Sequence, residues 1–142
     1  MKARVKWLEN ACLVGESESG HSVVLDGAPE IGGRNVGVRP MELVLISLGG
    51  CTALDILNTL KKQRQKVTDC VIEIDGDRTV EGYPKVFEKI HIHFIVTGHS
   101  LKENFVKRAV DLSAEKYCSV SAMLEKTAVI THDYEIVEAT EV

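Results

Sequence analysis

The stretch from Pro40 to about Gln63 constrains the fold more than any other part of the chain. Proline is tolerated in the first turn of a helix, where its missing N–H has no partner to lose, so Pro40 marks a helix start. Leu43, Val44, Leu45, Ile46 and Leu48 then make the helix apolar nearly all round, the pattern of a buried helix. Lys61, Lys62 and Arg64 crowd the far end, where cations suit the helix dipole. Gly49 and Gly50 interrupt the middle, each at a cost of about 1 kcal/mol relative to alanine. Close packing against another backbone explains them, as does room for a substrate beside Cys51, and both can hold.

The segments around this helix read mainly as strands. Residues 2–8 alternate, with Ala3, Val5 and Trp7 on one side and Lys2, Arg4 and Lys6 on the other, which predicts a half-buried strand. Two more strands are expected over 11–16 and 21–26, followed by a glycine-rich loop over 27–38. Beyond the helix, strands are predicted over 67–82 and 85–98, turning near Gly82-Tyr83-Pro84. In the second of them Ile90, Ile92, Phe94 and Val96 face one way and Lys89, His91 and His93 the other. Ser100 and Glu103 have the spacing of a capping box, opening a helix with Leu101, Phe105, Ala109 and Leu112 on one stripe. A short helix over 120–126 and a strand over 128–137 complete an α+β order. There is no internal repeat or linker, so residues 1–142 are expected to form a single domain.

Charge and cysteine usage narrow the function. A formal net charge of −4 argues against non-specific nucleic-acid binding. The N-terminus lacks the apolar run of a signal peptide, and no stretch is expected to span a bilayer, which excludes a membrane partner. A cytoplasmic protein follows, in which thiols rest reduced and any transient disulfide is catalytic or sensory. The four cysteines, Cys12, Cys51, Cys70 and Cys118, form no CxxC pair, which argues against a zinc ribbon or a thioredoxin-type motif.

Cys70 shares a strand face with Ile72 and Ile74 and reads as core, and nothing near Cys12 activates a thiol. Cys51 is either a small core hydrophobe or a reactive thiol. Cys118 lies at a junction between helices, which favours exposure and a helix-end field. Asp55, one turn after Cys51, would raise the pKa of a neighbouring thiol, so it is expected to bond a backbone group or a cation. His91 and His93 share a face that reads as solvated more readily than as a metal site, and His21, His99 and His132 are isolated.

Three segments carry a family resemblance. Pro40-Met41-Glu42-Leu43, Gly49-Gly50-Cys51-Thr52-Ala53 and Ala114-Glu115-Lys116-Tyr117-Cys118-Ser119-Val120-Ser121 together resemble the OsmC/Ohr family of thiol-dependent peroxidases. The resemblance implies an intertwined homodimer in which antiparallel sheets wrap two long central helices. It implies Cys51 as the peroxidatic thiol and Cys118 as the resolving one, with a hydroperoxide as substrate and a dithiol as reductant. No cofactor or metal enters the implied reaction.

The family also uses an arginine to stabilise the thiolate and a glutamate to position it. That glutamate directly follows the proline, whereas here Met41 holds the position and Glu42 comes one residue later. Ten residues of helix separate two side chains by about 80°, and nine by about 180°. Glu42 therefore points away from the thiol in a regular helix, or serves as a first-turn acid. Arg34 and Arg39 are the candidate arginines, Arg39 being nearer the helix start. The expected activity is reduction of organic hydroperoxides by a peroxiredoxin-type reaction. Two other readings are a dimeric module that binds a small apolar ligand and carries idle cysteines, and a Cys51 nucleophile acting on a thioester or other electrophile.

Overall fold

The computed structural model describes residues 1–140 as two compact units, Met1–Ile46 and a second beginning at Ser47. In the first unit, β1 (Ala3–Glu9), β2 (Cys12–Ser17) and β3 (Ser22–Leu25) form an antiparallel sheet in the order β1-β2-β3. The alternation of β1 is present, but its expected half-burial is not. Val5 and Trp7 are 62% and 64% exposed, left uncovered by the described residues.

Asp26 organises the glycine-rich loop that follows. Its buried carboxylate accepts from the backbone N–H groups of Gly27, Arg34 and Val36. The bonds from Arg34 and Val36, and then that from Gly27, outweigh burial and hold its pKa below the ordinary carboxylate value. The loop hands the chain to α1, which runs unbroken from Pro40 to Lys62.

The second unit contains β4 (Lys66–Arg78), β5 (Phe87–His99) and β6 (Val129–Glu138), in the order β4-β5-β6. β4 and β5 are antiparallel, but β5 and β6 are parallel, so the expectation of wholly antiparallel sheets is corrected. A hairpin cannot join parallel neighbours. The connection is a crossover through α2 (Glu103–Leu112), a π-helical turn (Ser113–Tyr117) and α3 (Ser119–Leu124).

The core of this unit draws on every layer. Leu48, Thr52, Ile56 and Leu60, spaced by four along α1, are buried, as are Ile90, Ile92, Phe94 and Val96 of β5. Each such large apolar side chain contributes roughly 1.5–3 kcal/mol through removal from water. A Cβ on Gly49 would stand 2.9 Å from Cδ1 of Ile74, so this glycine admits a side chain of β4, not a backbone. Gly50 has open space around it.

Two expectations about helices are revised. The capping box at Ser100 does not form. α2 begins at Glu103 without a side-chain cap, the Ser100 N–H donates to the Glu138 carboxylate, and Glu103 accepts from the Tyr134 hydroxyl. Contacts with β6 and its end have taken both partners, and the buried stripe of α2 is Val106, Ala109 and Val110.

α1, expected to be buried all round, is covered by its own chain on one side only, with Leu54 71% exposed and Ile46 and Leu57 also exposed. It is also long and apolar enough to cross a bilayer, contrary to the expectation for any stretch of this chain. The core helix of a globular fold passes the same test of length and composition, so this does not indicate a membrane protein.

Candidate active site

Cys51 lies on α1, half-buried, with Asp55 one helical turn further on. Cys118 lies far along the chain, between the π-helical turn and α3. The fold brings these three side chains to one point. The Cys51 Sγ, the Cys118 Sγ and a carboxylate oxygen of Asp55 lie within 4.8 Å of one another. All four cysteines of the chain are free.

The π-helical turn sets the position of Cys118. Its N–H donates to the Ser113 carbonyl at 3.0 Å, five residues back, which widens the last turn and ends α2. Cys118 then becomes the N-cap of α3, where its Sγ accepts from the Ser121 N–H at 3.3 Å. The helix-end field expected for Cys118 is present, but the exposure is not, since only 3% of the residue is accessible. Burial pushes the Cys118 thiol up to about 12. The Ser121 N–H favours the thiolate and opposes this, while the neighbouring Cys51 and the Asp55 charge add to the rise.

Among the described residues Asp55 bonds neither a backbone group nor a cation through its side chain. Its Oδ2 accepts from the Ser113 hydroxyl at 3.1 Å, and among the described residues no lysine, arginine or histidine pairs with it. Ser113 is fully buried and escaped the sequence reading, because no local pattern marks a serine that bonds across to another helix. Asp55 also lines a cleft of about 440 Å³ together with Asn58, Lys62, Arg108, Leu112 and Tyr117. The two thiols and the carboxylate are of the type and spacing to hold a soft divalent cation, with Ser113 and the Ser121 N–H as outer supports.

Arg39 and Glu42 belong to the first unit and bond locally there. The Glu42 carboxylate accepts from the Arg39 N–H at 2.7 Å, the return half of a capping box at the start of α1. The Arg39 guanidinium donates to Asn35 Oδ1 and to the Gly37 carbonyl, both at 3.1 Å. Arg34 pairs with Glu9 at 2.6 Å.

The remaining candidates lie elsewhere. His91 and His93 lie on the outer side of β5 and share Oδ1 of Asp133, at 2.9 and 2.7 Å. The bond to Asp133 holds the His93 imidazole above the usual histidine value. Cys70 is partly buried, and that burial, followed by the nearby Asp69 charge, raises its pKa. Cys12 is buried in β2.

The chain is similar to known proteins in sequence and in fold. A family model described as OsmC-like protein matches residues 32–133. The chain is 51% identical to Protein YhfA of Escherichia coli (strain K12), over 98% of this chain and 100% of that protein. A hypothetical protein from Aquifex aeolicus VF5 has a similar structure, with 29% identity and a TM-score of 0.85 over 98% of this chain and 97% of that one. An organic hydroperoxide resistance protein OsmC from Legionella pneumophila shares the fold, with 18% identity and a TM-score of 0.71 over 94% of this chain and 95% of that one.

Proposed function

Because the chain belongs to the OsmC-like family, we propose that it is a thiol-dependent hydroperoxide reductase, with Cys51 as the peroxidatic thiol and Cys118 as the resolving one. The observation that carries this reading is the meeting of the two sulfurs within 4.8 Å, from helices separated by most of the second unit. The Cys51 thiolate attacks the distal oxygen of the peroxide, the O–O bond breaks, and an alcohol or water leaves. The resulting Cys51 sulfenic acid condenses with Cys118 to a disulfide, releasing water. A dithiol then reduces the disulfide by exchange. An S–S bond is about 2.05 Å long, so closure asks for a modest approach of the two sulfurs.

The likeness to the organic hydroperoxide resistance protein of Legionella pneumophila supports organic hydroperoxides as the substrate class. In the same reading Arg39 is the arginine that stabilises the thiolate and Glu42 the glutamate that positions it. Slower sulfenic acid formation in Arg39→Ala tests that role.

The working form in this reading is a cytoplasmic homodimer of single-domain chains, and a feature of α1 supports it. Ile46, Gly50 and Leu54 are spaced by four, and Leu57 falls within the same sector at about 100° per residue. The three large residues are exposed, and Gly50 leaves open space between them. A ridge of this spacing with a gap at its centre suits close packing against a second α1.

The test is to treat the reduced protein with stoichiometric cumene hydroperoxide, then separately with hydrogen peroxide, and to map disulfides at short times by mass spectrometry. Rapid formation of a Cys51–Cys118 disulfide is expected, faster with the organic peroxide. Undiminished peroxide turnover in Cys51→Ser would refute the assignment.

A further inference from the structure

Resolution of the sulfenic acid leaves a proton to be moved. Cys118 reaches the reaction as a thiol, because its sulfur is buried and burial favours the uncharged form. The bond it must form is to the sulfur of Cys51, and the group that must leave is a hydroxyl. Hydroxide is a poor leaving group unless a proton accompanies it, and Cys118 holds one. A base within reach of both sulfurs would couple the two events.

One side chain at the site meets that requirement. The Asp55 carboxylate is within 4.8 Å of both sulfurs. It is held by the neutral Ser113 hydroxyl and not by a cation that would compete for its lone pairs. It also lines the cleft of about 440 Å³, into which the hydroxyl can depart as water.

Resting on the hydroperoxide reductase reading above, we propose that Asp55 is the proton carrier of the resolving step. As Cys118 Sγ attacks Cys51 Sγ, the S–H proton passes to the Asp55 carboxylate and from there to the departing hydroxyl. The S–S bond forms and the S–O bond of the sulfenic acid breaks. Cys118 sulfur is oxidised, Cys51 sulfur is reduced, and the hydroxyl leaves as water, so no further reactant is needed. Ser113 is a positioning residue in this step, since it acts only through Asp55.

Asp55→Asn tests the assignment in the full-length protein by two assays. In the first, cumene hydroperoxide is added in stopped flow, sulfenic acid is trapped with a dimedone-type reagent, and disulfide is counted by mass spectrometry. Disulfide closure, timed from the sulfenic acid once formed, is expected to slow at least about tenfold, so that trapped sulfenic acid accumulates. Closure in the variant should also become first order in hydroxide, because solvent base replaces the lost carboxylate.

The second assay needs no peroxide. A thionitrobenzoate mixed disulfide is placed on Cys51, and release of the dye reports attack by Cys118. Release should slow at least about tenfold in Asp55→Asn and recover in part in Asp55→Glu. Ser113→Ala provides a second variant should Asp55→Asn fail to fold, with slowing in the same direction and of smaller size. Closure at the parent rate in both assays in Asp55→Asn, or in Ser113→Ala where Asp55→Asn does not fold, overturns the role of Asp55. A parent protein that ignores peroxide yet shows carboxylate-dependent dye release overturns the peroxidase reading and retains Asp55 as the proton acceptor of Cys118.

Discussion

The Cys118 thiol should ionise far more reluctantly than an ordinary cysteine, and the structure sets the size of the effect. With a pKa of about 12, roughly one Cys118 in ten thousand is thiolate at pH 8, against about a quarter of unperturbed thiols. Alkylation by iodoacetamide follows the thiolate, so the intrinsic reactivity falls by about three orders of magnitude. Burial also blocks the reagent, but that factor does not change with pH.

The slope separates the two effects. The logarithm of the Cys118 rate, read peptide by peptide, should climb by about one per pH unit from pH 7 to beyond pH 10 without levelling. In Cys51→Ser the contribution of the neighbouring thiol is gone while burial, the largest cause, remains, so levelling should still lie above the ordinary range. A plateau below about pH 9 in the parent protein would mean that the Ser121 N–H outweighs burial, and the reasoning fails. The sign for stability follows from linkage. The folded value is raised, so the contribution is complete below an unfolded pKa of about 8.5 and is lost as pH climbs towards 12, at up to about 1.4 kcal/mol per pH unit.

Three further outcomes follow from features of the fold. Asp26 has a lowered pKa, so its contribution is present above the unfolded carboxylate pKa of about 3.9 and is lost as pH falls through the folded value. Urea midpoints of the parent and Asp26→Asn should differ at neutral pH and converge in acid. Leu60→Ala, at a fully buried position, should cost about 2–5 kcal/mol, read as a lower urea midpoint with an unchanged slope. Gly50→Leu fills the gap in the exposed ridge of α1 and should shift sedimentation towards monomer, whereas a dimer of unchanged affinity would place the contact elsewhere.

The sequence revealed the elements better than their partners. The apolar run at 43–48 marked a helix, although only Leu48 of that run is buried by its own chain, and the alternation of Ile90, Ile92, Phe94 and Val96 marked the inner side of β5. The direction of β6 could not be read in this way, because alternation is the same in parallel and antiparallel strands. Ser100 and Glu103 have a capping-box spacing, yet Glu138 and Tyr134, distant in sequence, claim them. At the site, the two cysteines were legible from their motifs, and Asp55 from its spacing of one turn. Ser113 was not, since its function depends on a π-helical turn and on which helix lies opposite. Asp26 left one sign, a carboxylate directly before glycine at the head of a glycine-rich loop.

The parallel pairing of β5 and β6 also bears on when the site comes into existence. Cys51 precedes β4, β5 and α2, while Cys118 lies inside the crossover that joins β5 to its parallel neighbour β6. A growing chain therefore exposes its first thiol well before the second, and the sheet that fixes the crossover closes with the last strand made. Contacts of such long range form late in folding. An oxidant that reaches the unfinished chain meets a cysteine with no partner, and its sulfenic acid is open to irreversible over-oxidation. In the peroxidase reading protection from that fate belongs to the completed molecule, so unfinished chains should carry more Cys51 beyond sulfenic acid than folded ones given the same oxidant.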